Sequence, residues 1–465
     1  MAAADSSWPD LVAEGRGVRL ALIVLGVWLN AADSLVTSTI MPTVSRDLGG
    51  YAYFSWATAA YMVGAILSGA TAARLAARLG LRRAMAAAGV VTAGGCVMSA
   101  AAPEMITLVA GRFVQGLGAG WIVGACFVAI GAVFPARHLA RTFSVMTSVW
   151  GVATVLGPLV GGVFAEGAEW RLLFWFFAAQ CAAFVAAALW LLPEDRAAAH
   201  REPWAQLALV LAGVGLIGAA DLSRGVAAAA GLCLASVAAF VIAARYPAPR
   251  GGGLFPREAG RPASIIGAAY LSCFALTAAA MSFGVYAPAL LQKLYGLSPL
   301  AAGYAAGLEA LGWTVAALAV AGSAERRHGL IIRLGAACVV GSLALLAVVM
   351  RLGPLWVILL AAAVLGAGFG LTSGLTSRRV LGSADEAERE VASAGINSVR
   401  QVGNAAGACL AGIVANLLGM GAGVTTAAAQ ASAVWLFALA TPVALIGAAG
   451  SWRAASARLV PDGIG

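Results

Sequence analysis

Long stretches of this chain contain almost no polar residues, and short polar connections separate them. A helix needs about 20 apolar residues to cross a ~30 Å hydrocarbon core. Fourteen stretches qualify, at 20–41, 54–73, 83–102, 105–134, 143–165, 171–192, 204–222, 225–245, 263–291, 300–322, 329–350, 354–377, 393–418 and 430–451. Arg16 and Arg19 precede the first run. That run is too long for a signal peptide and no small-residue cleavage site follows it, so the pattern predicts a retained helix.

An even number of spans puts both termini on one side, which the distribution of basic residues can check. Twenty-two basic residues fall on the side of the termini, among them Arg16, Arg19, Arg78, Arg82, Arg83, Arg137, Arg196, Arg201, Arg250 and Arg458. Five fall on the other side: Arg46, Arg171, Arg224, Lys293 and Arg351. Arg112 and Arg400 lie within spans. Missing one span would invert every later loop and spoil this asymmetry, so the count supports fourteen spans with both termini cytoplasmic.

Composition narrows the class further. Of 465 residues, 62% are hydrophobic, 58 are Gly and only 11% are charged. That is too apolar for a soluble enzyme, a disordered chain or a disulfide scaffold, and makes a lipid bilayer the expected solvent. The net charge of +9 is explained by cytoplasmic loops rather than by nucleic acid. Lys293 is the single lysine and sits in Gln-Lys-Leu, so no Walker A loop is present. The seven cysteines are scattered through apolar runs without a CxxC pair, and His138, His200 and His328 are far apart. They predict neither a metal nor a disulfide, and no cofactor is expected. Gly213, Gly215 and Gly218 spell GxGxxG without a preceding strand, which points to close helix packing.

A weak internal repeat aligns Leu117-Gly118-Ala119-Gly120 with Leu365-Gly366-Ala367-Gly368, with Gly157 and Gly162 downstream of the first and Gly407 and Gly412 downstream of the second. An offset of eight spans fits two six-helix bundles and an inserted hairpin at 204–245. The expected division is an N-terminal bundle at 1–195, the hairpin and its linkers at 196–250, and a C-terminal bundle at 251–465. Duplicated bundles with a midplane site between them are the signature of secondary transporters.

Charged residues inside spans cost ~2.5–3.5 kcal/mol each on insertion scales and mark function by default. Four sit deep: Asp33, Arg112, Glu309 and Arg400. Asp33, Arg112 and Glu309 are roughly 10–14 Å below the outer face at 1.5 Å per residue and could share one layer. Asn30, Asp33 and Thr37 form one stripe at i, i+3, i+7. A desolvated Asp beside a mobile Arg changes its proton affinity as the Arg approaches or withdraws, as a proton carrier must. A static pair that only joins helices is the alternative. Glu309 is a candidate for coupling or for binding a cation. Asn397, Arg400, Gln401 and Asn404 make a second stripe, facing the pathway or pinning two helices. Tyr270, Phe274, Thr277 and Met281 make an aromatic stripe suited to packing or to a hydrophobic ligand wall.

Several segments resemble the major facilitator superfamily, and within it the fourteen-spanner drug:proton antiporters. Gly151 to Gly162 (GVATVLGPLVGG) is similar to the antiporter motif, including Gly151, Gly157, Pro158, Gly161 and Gly162. Arg112 to Gly116 (RFVQG) is similar to the fourth-span motif, whose Arg and Gln (here Arg112 and Gln115) the family associates with proton transfer. Asp33 to Pro42 resembles the first-span motif of an acid followed by a helix-ending proline, and Trp170-Arg171 and Asn397 to Gly403 also look like this subfamily. The loop after the second span departs from the pattern. It keeps Arg78, Gly80, Arg82 and Arg83 but has Ala77 where the family carries an Asp, and Asp385, Glu386, Glu388 and Glu390 could supply the missing charge.

The resemblance implies an all-α, multi-pass protein of the bacterial inner membrane that exports amphipathic small molecules against protons by alternating access, expected as a monomer. Its partners would be a small-molecule substrate, protons and lipid, with no nucleic acid. Asp33, Arg112, Gln115 and Glu309 would couple protons. Asn30, Thr37, Tyr270, Phe274, Met281, Asn397, Arg400 and Gln401 would line the substrate cavity, and Arg78, Gly80, Arg82 and Arg83 would gate it. No enzyme activity is expected, because no His, Ser or Cys sits beside a plausible base within the spans. Export of an endogenous lipid, siderophore or metabolite is an alternative, since fold does not fix cargo. A non-transporting receptor or scaffold is another.

Overall fold

The computed structural model describes residue 13 and residues 15–135, 138–167, 169–192, 203–223, 225–246 and 253–456. Arg137, Arg196, Arg201, Arg224, Arg250 and Arg458 of the charge count, and the linker boundaries near 195 and 250, lie outside the described residues.

Among the described residues the regular structure is entirely helical. The α-helices are α1 (Arg16–Leu48), α2 (Trp56–Gly69), α3 (Ala72–Leu79), α4 (Leu81–Ala100), α5 (Met105–Val133), α6 (Leu139–Glu166), α7 (Trp170–Leu191), α8 (Trp204–Asp221), α9 (Val226–Arg245), α10 (Ile265–Tyr295), α11 (Pro299–Val320), α12 (Glu325–Val349), α13 (Leu355–Ser383), α14 (Arg389–Leu417) and α15 (Thr426–Ser456). Their ends carry ordinary stop and start chemistry. Gly296 ends α10 at φ 66°, its N–H donating to the Leu291 carbonyl. Two residues on, the Ser298 hydroxyl accepts from the Ala301 N–H and Pro299 opens α11.

Twelve of the described helices are long and apolar enough to cross a membrane, and thirteen if one bent pair counts as a span. The bent pair is the expected second span, broken between Gly69 and Ala72 by 51°. At the break the Thr71 hydroxyl donates to its own helix's carbonyls and accepts from Trp121 Nε1 at 3.0 Å. The expected thirteenth span is α14, whose 29 residues suffice in length. Its polar stripe makes it too hydrophilic to be counted on composition. Large apolar side chains such as Trp190, Val348, Leu318 and Leu234 are exposed, as on a surface whose solvent is lipid.

Two corrections concern particular residues. Pro42 does not end the first helix, since α1 runs on to Leu48. A proline costs the helix one N–H, here the one that would reach the Ser38 carbonyl, and α1 continues past that single lost bond. The loop expected around Arg78, Gly80, Arg82 and Arg83 is mostly helix. Arg78 lies in the last turn of α3, and Arg82 and Arg83 in the first turn of α4. Gly80, at φ 81°, supplies the turn that an L side chain would resist.

By their internal contacts the helices fall into two compact units, residues 1–48 with 60–202, and residues 49–59 with 203–465. In the first, α1 packs against α5, α6 and α7, and α4 against α5 and α7. In the second, α10 packs against α11, α14 and α15, α13 against α11 and α12, and α8 against α9 and α14.

Candidate functional site

In the first unit, α1 and α5 bring Asp33 and Arg112 together. Arg112 Nη1 donates to Asp33 Oδ1 at 2.8 Å and Oδ2 at 2.7 Å, and to Gln115 Oε1 at 3.0 Å. Arg112 is 1% exposed and Asp33 6%. Gln115 donates in turn to Cys96 Sγ at 3.0 Å and accepts from the Ser99 hydroxyl at 3.3 Å. The Arg112 guanidinium lies 4.5 Å from the centre of the Tyr61 ring, a cation–π contact in a desolvated setting. The Tyr61 hydroxyl donates to Asn30 Oδ1 at 2.7 Å. Thr37 turns its hydroxyl back onto the Asp33 carbonyl at 2.7 Å. Asn30, Asp33, Tyr61, Cys96, Gln115 and Cys181 share a narrow cavity with Thr92 and apolar neighbours. The arrangement is a buried ion pair whose Asp33 lines a cavity, held by hydrogen bonds and a cation–π contact that tie α1, α2, α4 and α5 together.

The antiporter-motif helix α6 packs on α1 through its glycines. A side chain at Gly157 would meet Leu35, and one at Gly161 would meet Val36 and Thr39. These contacts lie two to six residues beyond Asp33 on α1. Gly151 faces open space, Pro158 lies within α6, and Gly162 is buried. Trp170 and Arg171 both donate to Asp47 Oδ2, at 3.0 and 2.6 Å, and Arg171 also reaches the Ala102 carbonyl. They clamp the end of α1 rather than approach the cavity.

In the second unit, a cavity opens between α10, α13 and α14. Ser272, Cys273, Leu276 and Thr277 line it from α10, Phe369, Thr372, Ser373, Thr376 and Ser377 from α13, and Ile396 and Arg400 from α14. Arg400 donates to Asn397 Oδ1 at 2.8 Å. Its guanidinium lies 5.9 Å from the centre of the Trp313 ring, and Trp313 stacks on Phe369 at 5.2 Å and 15°. Tyr270 and Phe274 turn elsewhere. The Tyr270 hydroxyl donates to the Ala392 carbonyl at 2.8 Å, and Phe274 packs edge-on against Phe240. Met281 and Gln401 are half-buried on α10 and α14, and Asn397 is exposed. Glu309 is half-buried on α11, opposite the exposed Tyr304, Leu311, Val315 and Leu318. Its carboxylate makes no ion pair among the described residues. Glu388 is engaged by Arg257, whose Nε lies 3.6 Å from Oε1 and whose backbone N–H donates to Oε2 at 3.2 Å.

The apolar pattern missed one buried acid. Asp221, the last residue of α8, is only 2% exposed. Its carboxylate accepts from Ser55 Oγ at 2.6 Å and from Asn416 Nδ2 at 2.9 Å, and Asn416 also donates to the Ala52 carbonyl. Asp221 stands next to a span boundary in the sequence, where an exposed acid is ordinary. Only the distant partners reveal its burial.

The profile described as "Major Facilitator Superfamily" matches residues 23–408. The chain is 31% identical over 441 residues to a "Probable multidrug-efflux transporter" of Mycobacterium tuberculosis (strain H37Rv), covering 89% of this chain and 91% of that one. It is 27% identical over 166 residues to a multidrug transporter of Bacillus subtilis (strain 168), covering 35% of this chain and 31% of that one. Among solved structures, a D-xylose–proton symporter superposes with a TM-score of 0.67 at 17% identity, over 96% of this chain and 98% of that one. A peptide transporter superposes at 0.66 and 16% identity, over 93% and 94%. Such distant structural matches speak for the fold alone. The long sequence match, the family profile and the all-helical, multi-span architecture together establish the chain as a multi-pass membrane transporter, not an enzyme, and it belongs to the major facilitator superfamily.

Proposed function

We propose that this transporter exports amphipathic small molecules in exchange for protons. The observation that carries the reading is the buried Asp33–Arg112 pair, with Asp33 on the wall of a cavity and Gln115 held against the same guanidinium. Protonating Asp33 would discharge one partner and free Arg112 for Gln115 and Tyr61. Losing the proton would restore the pair. A buried ion pair is a natural two-state element because leaving either charge alone costs ~3–5 kcal/mol. Packing of Gly157 and Gly161 against α1 would carry that change into α6, and Glu309 would serve as a second coupling or cation-binding carboxylate. The name of the Mycobacterium tuberculosis relative supports efflux as the direction and drug-like compounds as cargo.

In this reading α14 and the bent α2–α3 pair complete fourteen spans. Two six-helix bundles at 1–195 and 251–465 rock about a midplane site, with α8–α9 as an inserted hairpin. The termini lie in the cytoplasm of a bacterial cell, and the protein works in the inner membrane as a monomer.

The test is proton movement in proteoliposomes with an interior pH dye, using lipophilic cations, neutral amphiphiles and anions. A compound that drives flux through the wild type and not through Asp33→Asn supports the proposal. Compounds that cross without moving protons would sink the coupling and leave a uniporter.

A further inference from the structure

We infer that the cavity of the second unit takes an aromatic compound with an anionic head, so that the cargo is an organic acid or zwitterion rather than a simple lipophilic cation. The inference rests on the export reading and names its substrate class. A guanidinium within a membrane helix is expected to find a counter-charge. Arg400 has an amide oxygen, Asn397 Oδ1 at 2.8 Å, which accepts a hydrogen bond without neutralising the cation. Among the described residues it forms no ion pair, and no acidic side chain lines the cavity. Glu309 stands one turn before Trp313 on α11 but makes no ion pair with Arg400, so the positive charge is not met among the described residues of the unit.

The rest of the wall suits such a ligand. Thr277, Thr372, Ser373 and Ser377 donate to carbonyls of their own helices. Thr376 lines the cavity with a hydroxyl that makes no hydrogen bond among the described residues. A carboxylate, sulfonate or phosphate seated on the remaining Arg400 N–H groups could accept from Thr376 as well, a charge-assisted arrangement. Phe369 lines the same cavity and stacks on Trp313 at 5.2 Å, giving an aromatic surface beside the cation for the body of the ligand.

The test is equilibrium binding to the purified full-length protein in detergent micelles, with empty micelles subtracted. The probes are 1-pyrenebutyrate, its uncharged methyl ester and tetraphenylphosphonium. The acid should bind at least ~10-fold more tightly than the ester to the wild type. Arg400→Gln should remove that preference, and Arg400→Lys should keep part of it. Equal binding of acid and ester, tighter binding of tetraphenylphosphonium than of the acid, or absence of binding by all three would overturn the inference. The wild-type comparison decides even if Arg400→Gln does not fold. Preferred binding of the acid without proton flux would leave this inference standing and remove antiport. Proton flux driven by tetraphenylphosphonium with no binding of the acid would do the reverse.

Discussion

At the scale of single residues, Asp33 and Arg112 are worth more together than the sum of their separate effects. With Arg112 removed, Asp33 is left as a buried acid without its cation, the situation that costs ~3–5 kcal/mol in proteins. Arg112→Ala should therefore lower the thermal midpoint of the purified protein clearly. Asp33→Asn combined with Arg112→Gln, which leaves no charge to bury, should recover most of that loss. Neither variant should recover coupled proton flux. A double variant as unstable as Arg112→Ala would show that the charge pair is not the source of the cost. Asp33 and Arg112 were legible because charges stand out in apolar runs, and Gln115 through the resemblance of RFVQG to the fourth-span motif. Tyr61 and Cys96 were not, since each reads as an ordinary core residue until its partner is placed beside it.

Among elements, the helices followed the apolar runs closely, and the departures have local causes. Gly80 removes the loop between α3 and α4, and Pro42 is accommodated within α1. The larger surprise is how α8 is held. Asp221 joins α8 to Ser55, and through Asn416 to α14 and the Ala52 carbonyl. Gly412 lies so close that a side chain there would meet the Asp221 carboxylate. Asp221→Ala strands the Ser55 hydroxyl, at ~1–3 kcal/mol for a buried donor left unpaired, and leaves Asn416 only the backbone carbonyls of Ala52 and residue 221. Hydrogen exchange should quicken at residues 51–59 and at the ends of α8 and α14, with the middle of α10 unchanged. Asp221→Asn keeps an acceptor and should exchange nearly as slowly as the wild type. Uniform quickening in both variants would mean that the cluster does not tie these elements locally. No spacing rule reveals such a contact, because its partners are separated by 166 and 195 residues.

The internal repeat belongs to the whole molecule, and packing corrects its register. Side chains at Gly116 and Gly120 would meet α2, and one at Gly118 would meet α4. At Gly366 and Gly370 they would meet α11, and at Gly368 they would meet α12. The equivalent triplets are therefore 116–118–120 and 366–368–370, two residues away from the match of Leu117-Gly118-Ala119-Gly120 with Leu365-Gly366-Ala367-Gly368. On this register Glu309 occupies in the second unit the place that Tyr61 holds in the first, since each presents its carbonyl to the first glycine of its triplet. A duplicated six-helix plan then requires α14 to be the partner of α6, and hence a span despite its polar stripe. Single cysteines at the exposed Ala387 and Thr425, just before and after α14, in a chain whose seven native cysteines are replaced, test this with a membrane-impermeant maleimide. If α14 crosses, Ala387→Cys should react only from the cytoplasmic face and Thr425→Cys only from the outside. Labelling of both from one face would make α14 a re-entrant or surface helix. The last helix would then run the other way and carry Arg453 to the outer side, against the charge asymmetry that orients the rest of the chain.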